Sequence, residues 1–231
     1  MYFDGVDDYV RVKDSDSLHI FGSMTIFYLV IPYFKSAYQA ITTKWDGNPY
    51  HEIFISGLTG NNRFYAIHRN TDGYRFYVET SQTYASGLWY SVAVVYDLAS
   101  LSIIVNGSKS STLYSGTPYP NTGDLFIGQR GDSQYWSNIY LANLLIYSRA
   151  LSDSEILWNY QYPDNPVRSG LVLWLQADPS NVKDIDGDGI LEWIDLSGFN
   201  NHGKIYGAQL VQLIKTPVRV LTPARALSPV R

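Results

Sequence analysis

The chain has no cysteine among its 231 residues, which excludes a disulfide framework, a thiolate metal site and a cysteine nucleophile. Glutamate is almost as scarce: Glu52, Glu79, Glu155 and Glu192 are the whole supply. His19, His51, His68 and His202 are scattered, with neither H-x-x-x-H nor H-E-x-x-H spacing. His51 and Glu52 are adjacent, and neighbours on a strand point to opposite faces. Charged residues make up only 16% of the chain, and no apolar run reaches the roughly 18 residues of a membrane span. Apolar residues, at 45%, are enough for a real core. Tyrosine (20) and glycine (18) are abundant, a bias shared with β-rich surface proteins. The length suits one sandwich, or a sandwich with a small appendage.

The organising stretch is Gly87 to Gly107, GLWYSVAVVYDLASLSIIVNG. Trp89 to Tyr96 and Leu101 to Val105 are aromatic and β-branched runs separated by Asp97-Leu98-Ala99-Ser100, and Asn106-Gly107 follows the second. This pattern predicts adjacent antiparallel strands, the first apolar on both faces and therefore mid-sheet. Residues 1–12 are expected to form a strand, with Phe3, Val6, Tyr9, Val10 and Val12 in the core. Further strands are predicted at Met24–Tyr33, Ala37–Lys44, His51–Ser56, Arg63–His68, Tyr74–Thr80, Leu125–Gly128 and Ile139–Tyr147. Ser152-Asp153-Ser154-Glu155 is a capping box that starts a short helix through about Tyr160, with Ile156, Leu157 and Tyr160 inward.

The core hairpin, with Phe3 to Val10 (FDGVDDYV) and Leu141 to Ile156 (LANLLIYSRALSDSEI), resembles the laminin-G-like, concanavalin A-like lectin family. The resemblance implies an all-β fold: an antiparallel jelly-roll sandwich, here with one short helix and an extended C-terminal arm. It also implies that Tyr135-Trp136 is a structural position, expected to pack in the core. The glucanase branch of this fold needs paired acids such as E-x-D-x-x-E, and the four glutamates form no such pair. The chain is therefore read as non-enzymatic.

The expected organisation is a sandwich over 1–162, a linker over 163–169, a segment over 170–212 and an arm over 213–231. Gly170 to Leu175 and Trp193 to Ala208 resemble the stretch that ordinarily precedes the family's opening strand. Three placements follow: a circular permutation, donation to a neighbouring copy, or a truncated second repeat. The first is preferred, because residues 161–169 suffice to turn back onto the parent sheet.

Asp184 to Asp195 fits a twelve-position calcium loop. Asp184, Asp186 and Asp188 stand at positions one, three and five, Gly189 at six, the Ile190 carbonyl at seven, Leu191 as core anchor at eight and Asp195 at twelve. Calcium is the cofactor this predicts. A glycan site is expected around Trp45, Asp46, Asn48, Tyr50 and His51, an aromatic platform beside amide and carboxylate groups, with Asp132 and Gln134 completing it from another loop. For Trp45, packing on its own strand is the competing reading.

Residues 216–231 repeat (T/S)-P-x-R-x-L every six residues, with Pro217, Arg219, Leu221, Pro223, Arg225, Leu227, Pro229 and Arg231 in register. Proline at that interval suits polyproline II. No acid follows Asp195, while Lys204, Lys215, Arg219, Arg225 and Arg231 do. The arm is expected to anchor the chain to a repeating partner, a virion, a filament or copies of itself. One arginine per six residues is thin for nucleic acid. With Met1 as the start there is no room for a leader, as for a virion protein; a chain trimmed of its leader is the alternative. The expected role is attachment, to a glycan or cell-surface receptor, at an extracellular or virion surface. A structural subunit polymerising head-to-tail by strand donation and a degenerate glycosidase are the alternatives.

Overall fold

The computed structural model describes residues 1–45, 54–119 and 122–211. In chain order its strands are β1 (Tyr2–Asp4), β2 (Tyr9–Val12), β3 (Met24–Pro32), β4 (Gln39–Trp45), β5 (Phe54–Leu58), β6 (Phe64–Arg69), β7 (Arg75–Glu79), β8 (Tyr90–Tyr96), β9 (Ser100–Val105), β10 (Ser108–Leu113), β11 (Asp124–Ile127) and β12 (Asn138–Tyr147). Helix α1 (Asp153–Gln161) follows, and then β13 (Leu171–Gln176), β14 (Val182–Lys183), β15 (Glu192–Trp193) and β16 (Gly203–Tyr206).

These strands form two antiparallel sheets. The first runs β1-β12-β3-β8-β9-β10, with β13 also paired to β12; the second runs β14-β15-β16-β2-β11-β4-β5-β6-β7. Strand alternation assigns the faces. Along β3, Met24, Ile26, Tyr28 and Val30 enter the core between the sheets, while Phe27 enters a second cluster on the outer face. That outer cluster, with Ala93, Val95, Ile104, Leu145 and Tyr147, is covered by Leu151 and by Ile156 of α1. Strand β8 is consequently buried along its whole length, as its two-faced apolar pattern predicts. The capping box at Ser152 and Glu155 is formed.

Three local expectations are corrected. Residues 1–12 are not one strand: Gly5 turns in the left-handed region (φ 79°), β1 pairs with β12, and β2 crosses to the other sheet to pair with β11. Val6 lies on that turn and is 67% exposed. Leu157 points outward from α1, and the buried helix residues are Ile156 and Asn159. Strand β10, SKSSTL, carries no apolar alternation; it forms because Asn106 and Gly107, at φ 48° and 83°, fold it back along β9.

After α1 the chain returns to its own sheets. Leu175 pairs with Leu144, while Gly203 and Ile205 pair with Val12 and Val10. Trp193 is fully buried among core residues of the sandwich.

Candidate functional site

On the second sheet, Phe54, Ser56 and Leu58 face inward, so Ile55 and Gly57 face out; on β6, Tyr65, Ile67 and Arg69 face out likewise. This outer face is hollowed into a bowl of about 340 Å³ lined by Tyr38, Ile55, Tyr65, Ile67, Arg75, Tyr77, Arg130 and Tyr135. Gly57, on the same outer face, is glycine for a steric reason. A Cβ there would come within 2.0 Å of the Gln39 carbonyl oxygen and 3.0 Å of the Tyr65 ring. Tyr38 stands edge-on to Tyr65 at 5.2 Å between ring centroids, and Tyr77 stacks beside Tyr65 at 6.0 Å.

The far wall is the loop after β11, a tight knot. The Arg130 N–H donates to the Gln134 carbonyl at 3.0 Å, and the Ala40 N–H donates to that of Tyr135 at 2.7 Å. Ser133 and Tyr135 are held in the left-handed region at φ 58° and 56°. Each such residue costs of order 1–3 kcal/mol, a strain that gathers at binding and catalytic sites. It aims the Tyr135 ring into the bowl, with the Arg130 guanidinium carbon 4.4 Å from its centroid. Burial pushes the Tyr65 phenol up; burial and the hydrogen bond to Glu79 do the same for Tyr77, whose hydroxyl donates to Glu79 Oε2 at 2.6 Å. These phenols therefore stay protonated at any physiological pH. The bowl offers apolar rings edged by fixed hydroxyl and guanidinium groups.

The second constellation is an acidic loop. One carboxylate oxygen from each of Asp184, Asp186, Asp188 and Glu192 lies within 4.8 Å of the others. Two oxygens bound on opposite sides of a calcium ion are also about 4.8 Å apart, so the all-oxygen set fits that ion. Gly187 and Gly189, at φ 77° and 85°, bend the loop and donate their N–H groups to Asp184 at 2.7 and 3.0 Å. Ile190 donates its N–H to Asp188 at 2.9 Å, and Ile185 its own to Glu192 at 2.8 Å. Lys204 on β16 places its ammonium against Asp188, 2.9 Å from Asp186 and 3.8 Å from Glu192. Those hydrogen bonds hold Lys204 well above its ordinary range and Asp188 below its own.

Asp195 does not join this set. It is 6% exposed and accepts from the Trp174 and Ser197 N–H groups at 2.9 Å each, from Ser197 Oγ at 2.7 Å and from the Asn201 N–H at 2.9 Å. It thus ties β13 to the return strand, and Glu192, at position nine, takes its place as the fourth acid. Leu191, the expected anchor, is 50% exposed; Trp193 anchors the loop instead.

Trp45 is no open platform. It is 8% exposed, and a Cβ at Gly131 would meet both its ring and Phe126 at 2.8 Å. Asp46, Asn48, Tyr50 and His51 lie outside the described residues, as does the arm, including Pro217, Arg219, Leu221, Pro223, Arg225, Leu227, Pro229 and Arg231. Asp132 and Gln134 stand behind Arg130: its Nε reaches Asp132 at 3.1 Å and its Nη2 reaches Gln134 Oε1 at 3.2 Å. Tyr135, expected in the core, lines the bowl. Sequence reasoning missed Tyr38, Tyr65 and Tyr77 as well. Tyr65 and Tyr77 were signalled only by tyrosine on outward positions of two consecutive strands, and Tyr38 precedes β4.

A family model of the concanavalin A-like lectin/glucanases superfamily matches residues 4–157. No curated protein matches the chain. Among solved structures, a candidate carbohydrate-binding protein of Bacteroides ovatus ATCC 8483 is similar over 89% of this chain and 57% of its own, with a TM-score of 0.65 and 18% identity. This chain therefore spans little more than half of that protein. The CBM40 of Ruminococcus gnavus IT-sialidase, bound to α2,3-sialyllactose, is similar over 68% of this chain and 95% of its own, with a TM-score of 0.55 and 17% identity. The heptameric SAP-like pentraxin of Limulus polyphemus covers 67% of this chain and 78% of its own, with a TM-score of 0.51 and 16% identity. At these identities the likeness is one of fold.

Proposed function

The chain belongs to the concanavalin A-like lectin/glucanases superfamily, and from that premise we propose that it is a non-enzymatic glycan-binding module whose site is the tyrosine bowl. The observation that carries this reading is the convergence of four tyrosines on the outer face of one sheet, one of them on a strained loop. The C–H face of a pyranose packs on an aromatic ring while its hydroxyls need donors and acceptors at the edge, and tyrosine supplies both. Most glycoside hydrolases use two carboxyl groups across the scissile bond. No carboxylate is among the described residues lining the bowl, and the nearby Asp132 and Glu79 are engaged by Arg130 and by Tyr77 with Arg63. The test is a glycan array followed by titration of the best ligand. Tyr38→Ala and Tyr77→Ala should each weaken binding about tenfold, the loss of roughly 1–2 kcal/mol of buried ring contact, with unchanged melting. An array on which wild type binds nothing would sink the reading.

The acidic loop is read as a calcium site held by Asp184, Asp186, Asp188 and Glu192. Its role there is to fasten the 182–206 segment onto the sandwich. Calorimetry should find one calcium site in wild type and none in Asp186→Ala. The proposed setting is attachment at a cell or virion surface, with the arm at 216–231 as tether to a repeating partner; its regular Pro and Arg spacing motivates this.

A further inference from the structure

Helix α1 leaves one flank open. Asp153, Ile156, Leu157 and Tyr160 follow the i, i+3, i+4, i+7 spacing of a single helix face. With Ile104 of β9 and Lys109 of β10 they line a groove of about 450 Å³ on the outer side of the first sheet. Ile104 and Ile156, 7% and 8% exposed, lie at its bottom, whereas Leu157 is 51% exposed. Asp153 forms no ion pair among the described residues.

The chain itself supplies an occupant of matching chemistry. Twenty residues follow Val211, and among them Pro217 to Leu221 and Pro223 to Leu227 both read P-x-R-x-L, with arginine the only charge in each. In polyproline II such a stretch is about 12 Å long. The α1 face from Asp153 to Tyr160 is about 10 Å long. Proline and leucine suit the apolar lining, and the arginine suits Asp153. Where the chain leaves the sandwich decides whose groove is filled. Gln209 pairs with Tyr2 on β1, at one edge of the first sheet, and the groove lies by β9 and β10 at the other. The two edges are about 24 Å apart at five strand spacings, and Leu151 and α1 cover the outer cluster between them.

Resting on the reading of residues 216–231 as a tether, we infer that the repeating partner is this chain itself. The P-x-R-x-L segments of one copy dock in the groove between α1 and the β9–β10 hairpin of the next. The donating and accepting edges are different surfaces, so the contact is head-to-tail and repeats into an open row of copies.

The experiment is sedimentation velocity on the full chain over a range of concentrations, with Leu157→Asp in the groove and a Leu221→Asp, Leu227→Asp double variant in the arm. Wild type should form oligomers that lengthen with concentration, and each variant alone should stay monomeric. Mixed one to one, the two variants should give a heterodimer and nothing longer, because one keeps a sound arm and the other a sound groove. Asp153→Lys, added to the arm variant, should weaken that heterodimer about two- to fivefold, and Lys109→Glu should tighten it by a similar factor. Loss of fold does not produce opposite shifts from two charge changes in one groove, and circular dichroism with melting checks each variant. A monomeric wild type overturns the inference. A mixture of the variants that stays monomeric overturns it too, and is the pattern of an arm held by its own groove. Oligomers that survive Leu157→Asp but not the arm substitutions overturn it while leaving the tether reading standing on another docking surface. Oligomers that survive the arm substitutions remove the tether reading as well.

Discussion

Acid should loosen this sandwich through one histidine. His68 lies on β6 facing the core, stacked on Tyr96 at 4.7 Å, with Nδ1 3.0 Å from the Tyr114 hydroxyl and Nε2 without a partner among the described residues. It is 1% exposed, and burial lowers its pKa from 6.5 to about 3. The depressed value means that the unfolded chain takes up a proton before the folded one does. Stability is therefore full above about pH 6.5 and drains away as pH falls toward 3. Each pH unit inside that window costs at most about 1.4 kcal/mol. Relative to pH 7 the loss from this residue is roughly 2 kcal/mol at pH 5 and 3 kcal/mol at pH 4. Urea denaturation of wild type and His68→Gln at pH 7, 5 and 4 isolates it, because the carboxylate contributions common to both cancel. The variant should start less stable and lose roughly 3 kcal/mol less between pH 7 and 4. Parallel pH profiles would refute the burial argument.

Other predictions follow from single contacts. Gly57→Ala pushes a methyl group into the Gln39 carbonyl and should cost about 1–3 kcal/mol by denaturation, more than a surface change. Glu192→Gln should weaken calcium binding in calorimetry. Asp195→Asn should leave the calcium stoichiometry alone yet lower stability by about 2 kcal/mol, because an amide nitrogen meets backbone donors where an oxygen was. The reverse pattern would restore Asp195 to the ion. Deleting residues 216–231 should leave the melting temperature nearly unchanged and abolish incorporation into an assembly; a deletion that unfolds the sandwich would give the arm another job.

The fold was legible where apolar alternation and turn chemistry agree. The hairpin at Tyr90 to Val105 and the cap at Ser152 both announce themselves locally, and both form. Strand β10 could not be read, because its pairing comes from the Asn106-Gly107 turn rather than from its own polar side chains. The acidic loop was half legible. Spacing brings Asp184, Asp186 and Asp188 together, but which acid stands beside them as the fourth depends on which way the chain turns after Gly189, and that is set by the return of β16 to β2. The bowl was illegible for a different reason. Tyr38, Tyr65, Tyr77 and Tyr135 are spread over nearly a hundred residues, and only the register of β4 to β7 together with the pairing of β11 to β4 brings them together. Trp45 is packed, as the reading that competed with a platform had it, but nothing local shows that Gly131 and Phe126 are what its ring packs against.

The most direct measurement is where a bound glycan sits. Tyrosine-ring NMR resonances of the full chain, assigned by Tyr→Phe substitution, can be followed while the best array ligand is added. The rings of Tyr38, Tyr77 and Tyr135 should shift with one common saturation curve, while the buried Trp45 indole and Tyr206, beside the acidic loop, stay still. Shifts confined to Tyr206 and the resonances around Lys204, with the bowl silent, would contradict the account and move the binding site to the other end of the sheet.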